Sequence, residues 1–354
     1  MAYSEDAVPL AEKALIAEIR RLAQSGWNRS DRKPPLSSDL KSEARRPARS
    51  ARRLVRVGIG DDCAVLRLPP GEDSLVTTDF TLENIHFRRP WHSPEVVGHR
   101  CLTRGLSDIA AMGGQPLAAF LSLALPHDVP QSWVRRFARS LVGLAKRYGV
   151  TLAGGDTGES PNRILADIIV LGTVPKGKAI LRSGARPGDA IYVSGHLGGA
   201  TAALLQMRAH RKRSLNPQDY PRHFYPAPRL ELGRMLREKR LAAAMIDLSD
   251  GLSTDLAHIC EESGVGAEIH AELIPRARVG KPARPVDLNL ALHGGEDYEL
   301  LFTSPAAKHL PAKIAGVPLT RIGQITRSRK MVLREANGVS RSLVPRGWEH
   351  FRKQ

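Results

Sequence analysis

The sequence predicts an α/β fold (α+β in the order of its pieces) built from two mixed α/β domains, on three observations. At 354 residues the chain exceeds one ordinary domain, and two is the natural division. Apolar runs of strand length alternate with runs of helical period through both halves. A charged stretch with Gly and Pro, RSGARPGD (182–189), reads as the link between the halves. The expected division is 1–56 for an N-terminal helix plus a basic, disordered insert, 57–181 for a first domain, and 182–354 for a second.

Each element has its own reason. Residues 10–24 carry a charged, amphipathic helical pattern. LVTTDF (75–80) reads as a strand with a polar end. Ser93-Pro94-Glu95 opens a helix, with Ser93 as N-cap and Pro94 at the first helical position. Val97, Cys101, Leu102, Leu106, Ile109 and Ala110 keep its period until Gly113-Gly114 stops it. AAFLSLALP (118–126) has the continuous apolar character of a buried strand. Trp133, Val134, Phe137, Leu141, Leu144, Ala145 and Tyr148 mark a helix ended by Gly149, and ILADIIVLGTV (164–174) is a long strand. In the second half, AIYVSG begins with a strand and is followed by a helix over 199–207. Residues 230–237 form a helix, 243–249 a strand and 252–262 a helix, with further strands at YELLFTS (298–304) and TRIGQIT (320–326).

Composition narrows the function. At 42% hydrophobic and 5% aromatic the cores are aliphatic. Apolar runs stay short of the roughly 18 residues that a membrane span needs. The N-terminus lacks a signal peptide's apolar stretch, and Cys63, Cys101 and Cys260 have no C-x-x-C partner, which argues against a disulfide framework and a zinc site. A cytoplasmic protein is expected. The net charge of +17 raises nucleic-acid binding, but ten basic residues fall within 28–56, a Pro-, Ser- and Arg-rich stretch without aromatics or an apolar period. That stretch, with 208–214 and 276–285, reads as solvated basic loop, so neither nucleic acid nor membrane is an expected partner.

Against this basic background, acidic residues recur at loop junctions. Asp61-Asp62 follow a Gly-Ile-Gly turn; Asp79 ends a strand after Thr77 and Thr78; Asp108 sits in the last turns of a helix, against its negative dipole end. Asp156 follows two glycines at a strand end, and Asp247 and Asp250 stand where a strand turns into a helix. Any one of these is an ordinary turn or cap. Five together describe a polyanion site organised by hard cations, since Mg²⁺ takes oxygen ligands and bridges carboxylates to phosphates. No phosphate loop competes: GTVPKGKA (172–179) has Ala179 where the hydroxyl belongs and Pro175 within the turn.

GIGDDCAVL, TTDFTLENIHF, LSDIAAMGG, GGDT, RSGARPGD, IDLSDGL, GGEDYELLF and GWEHF, in this order from 57 to 351, resemble the thiamine-monophosphate kinase family of the aminoimidazole ribonucleotide synthetase-like superfamily. The resemblance implies ATP-dependent phosphorylation of thiamine monophosphate to thiamine diphosphate, the last step of cofactor synthesis. It also implies a homodimer joined through the N-terminal sheet and a C-terminal domain that covers the nucleotide. Carried over by position, Asp62, Thr78, Asp79, Asp108, Asp156, Asp247 and Asp250 match Mg²⁺-associated positions. Thr77, Gly155, Asp156, Arg182 and Ser249 match ATP positions, and His86, Glu296 and Trp348 match the thiamine phosphate side. Departures are the long basic insert, Glu83 where a small residue is frequent, Thr77 where Ser also occurs, and Trp348 where Tyr also occurs.

The chemistry fits the residues. A phosphate acceptor is already anionic, so no general base is required and no separate catalytic group is expected. Trp348 can stack on a cationic thiazolium or plug the core; His86 can face substrate or serve as a hydrogen-bonded structural histidine. A superfamily relative with another acceptor, and a basic RNA- or membrane-surface-binding protein, are the alternative readings.

Overall fold

The computed structural model describes residues 12–24, 54–209, 215–349 and 351. The basic insert before residue 54, the 210–214 part of the second basic loop and the last residues of the chain lie outside the described residues. The described chain forms two units. One comprises residues 54–109 and 115–176 with helix α1 (Glu12–Gln24); the other comprises 110–114 and 177–351.

The first unit contains a small antiparallel hairpin, β1 (Val55–Val57) and β2 (Val65–Leu66), and a four-stranded sheet. The sheet strands are β3 (Glu72–Leu82), β4 (Gln115–Leu125), β5 (Thr151–Glu159) and β6 (Leu165–Pro175), in the order β3-β6-β4-β5. β3–β6 and β6–β4 are antiparallel, while β4–β5 is parallel. The period of 2 in β6 sends Ala166, Ile168 and Val170 to a buried face. Helix α2 (Pro94–Ala111) packs there, and Gly105 lets it approach Val170 closely: a Cβ at Gly105 would stand 2.6 Å from Val170 Cγ2. Helix α3 (Gln131–Tyr148) buries Trp133, Phe137 and Leu141 and ends at Gly149, whose φ of 72° is the left-handed cap. Helix α1 packs against α3 and β5 and buries Ile19. Strand β3 is the sheet edge and leaves Val76 and Phe80 exposed (67% and 55%).

The second unit is built on a larger sheet. Its strands are β7 (Ala190–Ser194), β8 (Ala244–Asp247), β9 (Gly266–His270), β10 (Leu300–Ser304), β11 (Val317–Thr326), β12 (Met331–Arg334) and β13 (Ser340–Ser342). They run in the order β13-β12-β9-β11-β7-β10-β8, with Lys313–Ile314 pairing beside β11. Only β9–β12 is a parallel pair in that path. Helices α4 (Gly199–Ala209), α5 (Leu230–Glu238), α6 (Leu252–Ser263) and α7 (Leu288–His293) accompany it. Its aliphatic core joins Ile191 and Val193, Ile246, Leu256 and Ile259, Ile269, Leu301 and Ile322.

Two differences from the sequence reading concern the site. Asp156 stands within β5 rather than at a strand end, because the parallel pairing with β4 continues through Ser122–Asp156 to Leu125–Glu159. The expected strand over 298–304 is shorter at its start, because Tyr298 has a φ of 51°.

Candidate functional site

In the first unit, the strand alternation divides the Thr-Thr-Asp run between two faces. Thr77 and Asp79 turn toward α2, where Thr77 Oγ1 donates to Asp108 Oδ2. Asp79 is half-buried beside the same carboxyl. Burial first, then the negative charge of Asp108, pushes Asp79 up to about 7, against the partial opposition of Arg104. Thr78 faces the other way and donates to Asp167 Oδ1 at 2.7 Å. The register aligns Asp156, Ser122 and Asp167 in one cross-strand row. Two strand spacings place the Asp156 and Asp167 backbones about 10 Å apart. Gly155, one residue back, has a φ of 150°, and a Cβ there would collide with the Leu121 carbonyl oxygen, so the β5 backbone can hold this path only without a side chain.

Asp61 and Asp62 are exposed in the turn between β1 and β2, which Gly60 makes with a φ of 122°. Asp61 Oδ1 accepts the Asp62 N–H at 3.0 Å, a contact between neighbouring residues. The turn starts at Gly58, packed over Ala153 of β5. His86 lies in the loop after β3, and its Nδ1 accepts the Leu82 N–H at 2.9 Å.

In the second unit, the structure gathers Asp247, Ser249, Asp250, Glu296 and Trp348 around the β8–α6 loop. Asp247 ends β8 and is buried. The Ser249 carbonyl accepts the Glu296 N–H at 2.8 Å, and the Asp250 carbonyl accepts the Trp348 N–H at 3.0 Å. Leu248 is tied on both sides, to Glu299 O and Tyr298 N. Asp255, one turn into α6, accepts the N–H groups of Asp250 (3.2 Å) and Gly251 (2.9 Å). Burial, followed by the charges of Asp247 and Asp250, holds the Asp255 carboxyl well above its ordinary range. Asp250, Asp255 and His258 place ligand atoms within 4.8 Å of one another. Glu296 has a φ of 68° and follows Gly294 and Gly295, where a Cβ would collide with the Leu290 and Ser249 carbonyl oxygens respectively.

Arg182 is not part of this cluster. It is exposed, and its carbonyl accepts from Ser263 Oγ at 3.0 Å, at the C-terminal end of α6. The helix separates it from Asp250 by about 18 Å, twelve residues at 1.5 Å each. Sequence reasoning missed Asp167 and Asp255. Asp167 was visible as the one charge in an otherwise apolar strand, and Asp255 as a second acid on the first turn of α6.

Residues 60–174 match the AIR synthase related protein, N-terminal domain, and residues 186–335 match the C-terminal domain of the same family. Thiamine-monophosphate kinase of Escherichia coli K12 is 40% identical over 313 residues, covering 86% of this chain and 94% of that protein. The chain belongs to the thiamine-monophosphate kinase family. A solved thiamine-monophosphate kinase from Stenotrophomonas maltophilia K279a superposes with a TM-score of 0.73 at 33% identity, over 92% of this chain and 97% of that one. A second solved family member, AaThiL complexed with AMPPCP and TMP, has a TM-score of 0.71 at 31% identity, over 80% and 89% of the two chains. Among the described residues no helix is long and apolar enough to cross a membrane.

Proposed function

We propose that this protein transfers the γ-phosphoryl group of ATP to thiamine monophosphate, giving thiamine diphosphate and ADP. The observation that carries the reading is its family membership across 94% of the Escherichia coli enzyme, with a relative solved with AMPPCP and TMP. AMPPCP is ATP with a methylene group in place of the β–γ bridging oxygen. It therefore marks a donor site, as TMP marks an acceptor.

The acceptor phosphate is anionic near neutral pH, so the chain needs no general base; its task is to hold two polyanions in line. The donor set fits Mg²⁺: every ligand is a hard oxygen, and burial together with the charge of Asp108 raises Asp79 despite Arg104 nearby. By family resemblance the positions assigned to Mg²⁺ are Asp62, Thr78, Asp79, Asp108 and Asp156 in the first unit and Asp247 and Asp250 in the second. Bound there, Mg²⁺ would neutralise charge on the phosphate oxygens as the γ-phosphoryl moves. Thr77, Gly155, Asp156, Ser249 and Arg182 are assigned to ATP. Arg182 rests on the family resemblance alone, given its distance from the β8–α6 loop. His86, Glu296 and Trp348 are assigned to thiamine monophosphate. Trp348, 38% exposed, offers a ring face to the thiazolium cation, and Glu296 offers it a negative partner. The open β3 edge with Val76 and Phe80 supports a homodimer through this sheet. A cytoplasmic location suits a chain with three unpaired cysteines.

The test is a product assay. Protein, ATP, Mg²⁺ and thiamine monophosphate should yield thiamine diphosphate and ADP in equal amounts, and EDTA should stop both. ATP binding without thiamine diphosphate would redirect the search to another acceptor.

A further inference from the structure

The segment that carries Trp348 has almost no secondary structure of its own. Past β13 the chain runs from Leu343 to Glu349 without a helix or strand, and all of it is exposed except Leu343 and the half-buried Gly347. Three consecutive N–H groups nevertheless find partners, all at the start of α6. Arg346 N–H reaches Ser253 Oγ at 3.3 Å, Gly347 N–H reaches Thr254 Oγ1 at 3.0 Å, and Trp348 N–H reaches the Asp250 carbonyl at 3.0 Å. Gly347 is required for so close an approach, since a Cβ there would collide with that same carbonyl oxygen. Ser253 is itself fixed: it is fully buried, and its Oγ lies 2.8 Å from His293 Nδ1.

We infer that Ser253 and Thr254 are positioning residues for thiamine monophosphate, holding the C-terminal strap so that Trp348 stands beside Glu296 over the β8–α6 loop. The inference rests on the assignment of Trp348 to the substrate. It adds that the two hydroxyls, acting through the strap, set the affinity for thiamine monophosphate. One short loop then does two jobs. Asp247 and Asp250 serve the phosphate end of the reaction, while the hydroxyls of Ser253 and Thr254, in the first turn of α6, aim the aromatic ring. A shift in the strap reaches the ring of the substrate without altering nucleotide binding.

The test is steady-state kinetics of the full-length protein with each substrate varied in turn. Thr254→Val removes the hydroxyl at nearly constant volume, Thr254→Ser keeps it, and Gly347→Ala displaces the strap. Losing one hydrogen bond to the strap should raise KM for thiamine monophosphate about threefold to tenfold. KM for ATP should stay within about twofold, and Thr254→Ser should restore the wild-type value. In a Trp348→Ala background, Thr254→Val should add no further effect, because both act through one ring. Selective loss with serine rescue supports the inference. Three outcomes overturn it: KM rising equally for both substrates, Thr254→Val and Gly347→Ala leaving KM for thiamine monophosphate unchanged while Trp348→Ala raises it, or Thr254→Val acting fully without Trp348. Only a Trp348→Ala protein with unchanged KM would also remove Trp348 from the substrate site.

Discussion

Replacing Glu299 by Gln keeps the shape of a fully buried side chain and removes its charge. The carboxylate accepts from Arg229 Nε at 2.7 Å and Nη2 at 2.6 Å, from Arg222 at 2.5 Å and from Ser194 at 2.6 Å. Burial by itself would raise its pKa, but the two guanidinium groups and the serine overcome it and bring Glu299 down to about 2 from 4.5. That difference corresponds to about 3 kcal/mol of stability at neutral pH. Because the folded-state pKa is the lower one, the contribution is complete above about pH 4.5 and is lost as the pH falls toward 2. At pH 3.5 about 2 kcal/mol should remain. Urea unfolding of wild type and Glu299→Gln at pH 7 and pH 3.5, followed by circular dichroism, measures both gaps. A gap under about 1 kcal/mol at pH 7 would refute the reasoning, because a buried pair broken on one side costs several kcal/mol. So would a gap that does not shrink on acidification.

Other perturbations reach the site directly. Asp79→Asn should lower kcat by at least about a hundredfold, with a raised Mg²⁺ requirement, while the thermal midpoint holds or rises because the repulsion with Asp108 is relieved; titrating activity with Mg²⁺ checks it. Gly155→Ala should cost about 2 kcal/mol or more, from its φ of 150° and the collision with Leu121, read as a lowered urea midpoint. Phe80→Asp places charge on the exposed β3 edge and should convert a dimer to a monomer in analytical ultracentrifugation.

Much of the fold was legible in the amino-acid order. The helical period and its punctuation located α2 between Pro94 and Ala111 and α3 up to Gly149, because apolar spacing and glycine stops act within a few residues. β9 was not legible, and β5 was read only as a strand ending at Asp156, short of its observed end at Glu159. β5 is interrupted by glycines and Asp156, and it is a strand because β4 pairs with it. The two-residue elements of the hairpin carry too short a pattern to read.

By itself the sequence determined the family, the alternation of elements and the recurring carboxylates, all of which are local in the chain. Tertiary structure decided which neighbours each carboxylate meets. Strand register brought Asp167, 89 residues on, to the hydroxyl of Thr78, and turned Thr77 to Asp108 on the opposite face. Long-range hydrogen bonds set Trp348 on a loop 98 residues earlier in the chain, near Glu296, and left Arg182 at the far end of α6. Side-chain periodicity tells which face a residue takes; which neighbour lies across from it depends on packing between segments distant in sequence.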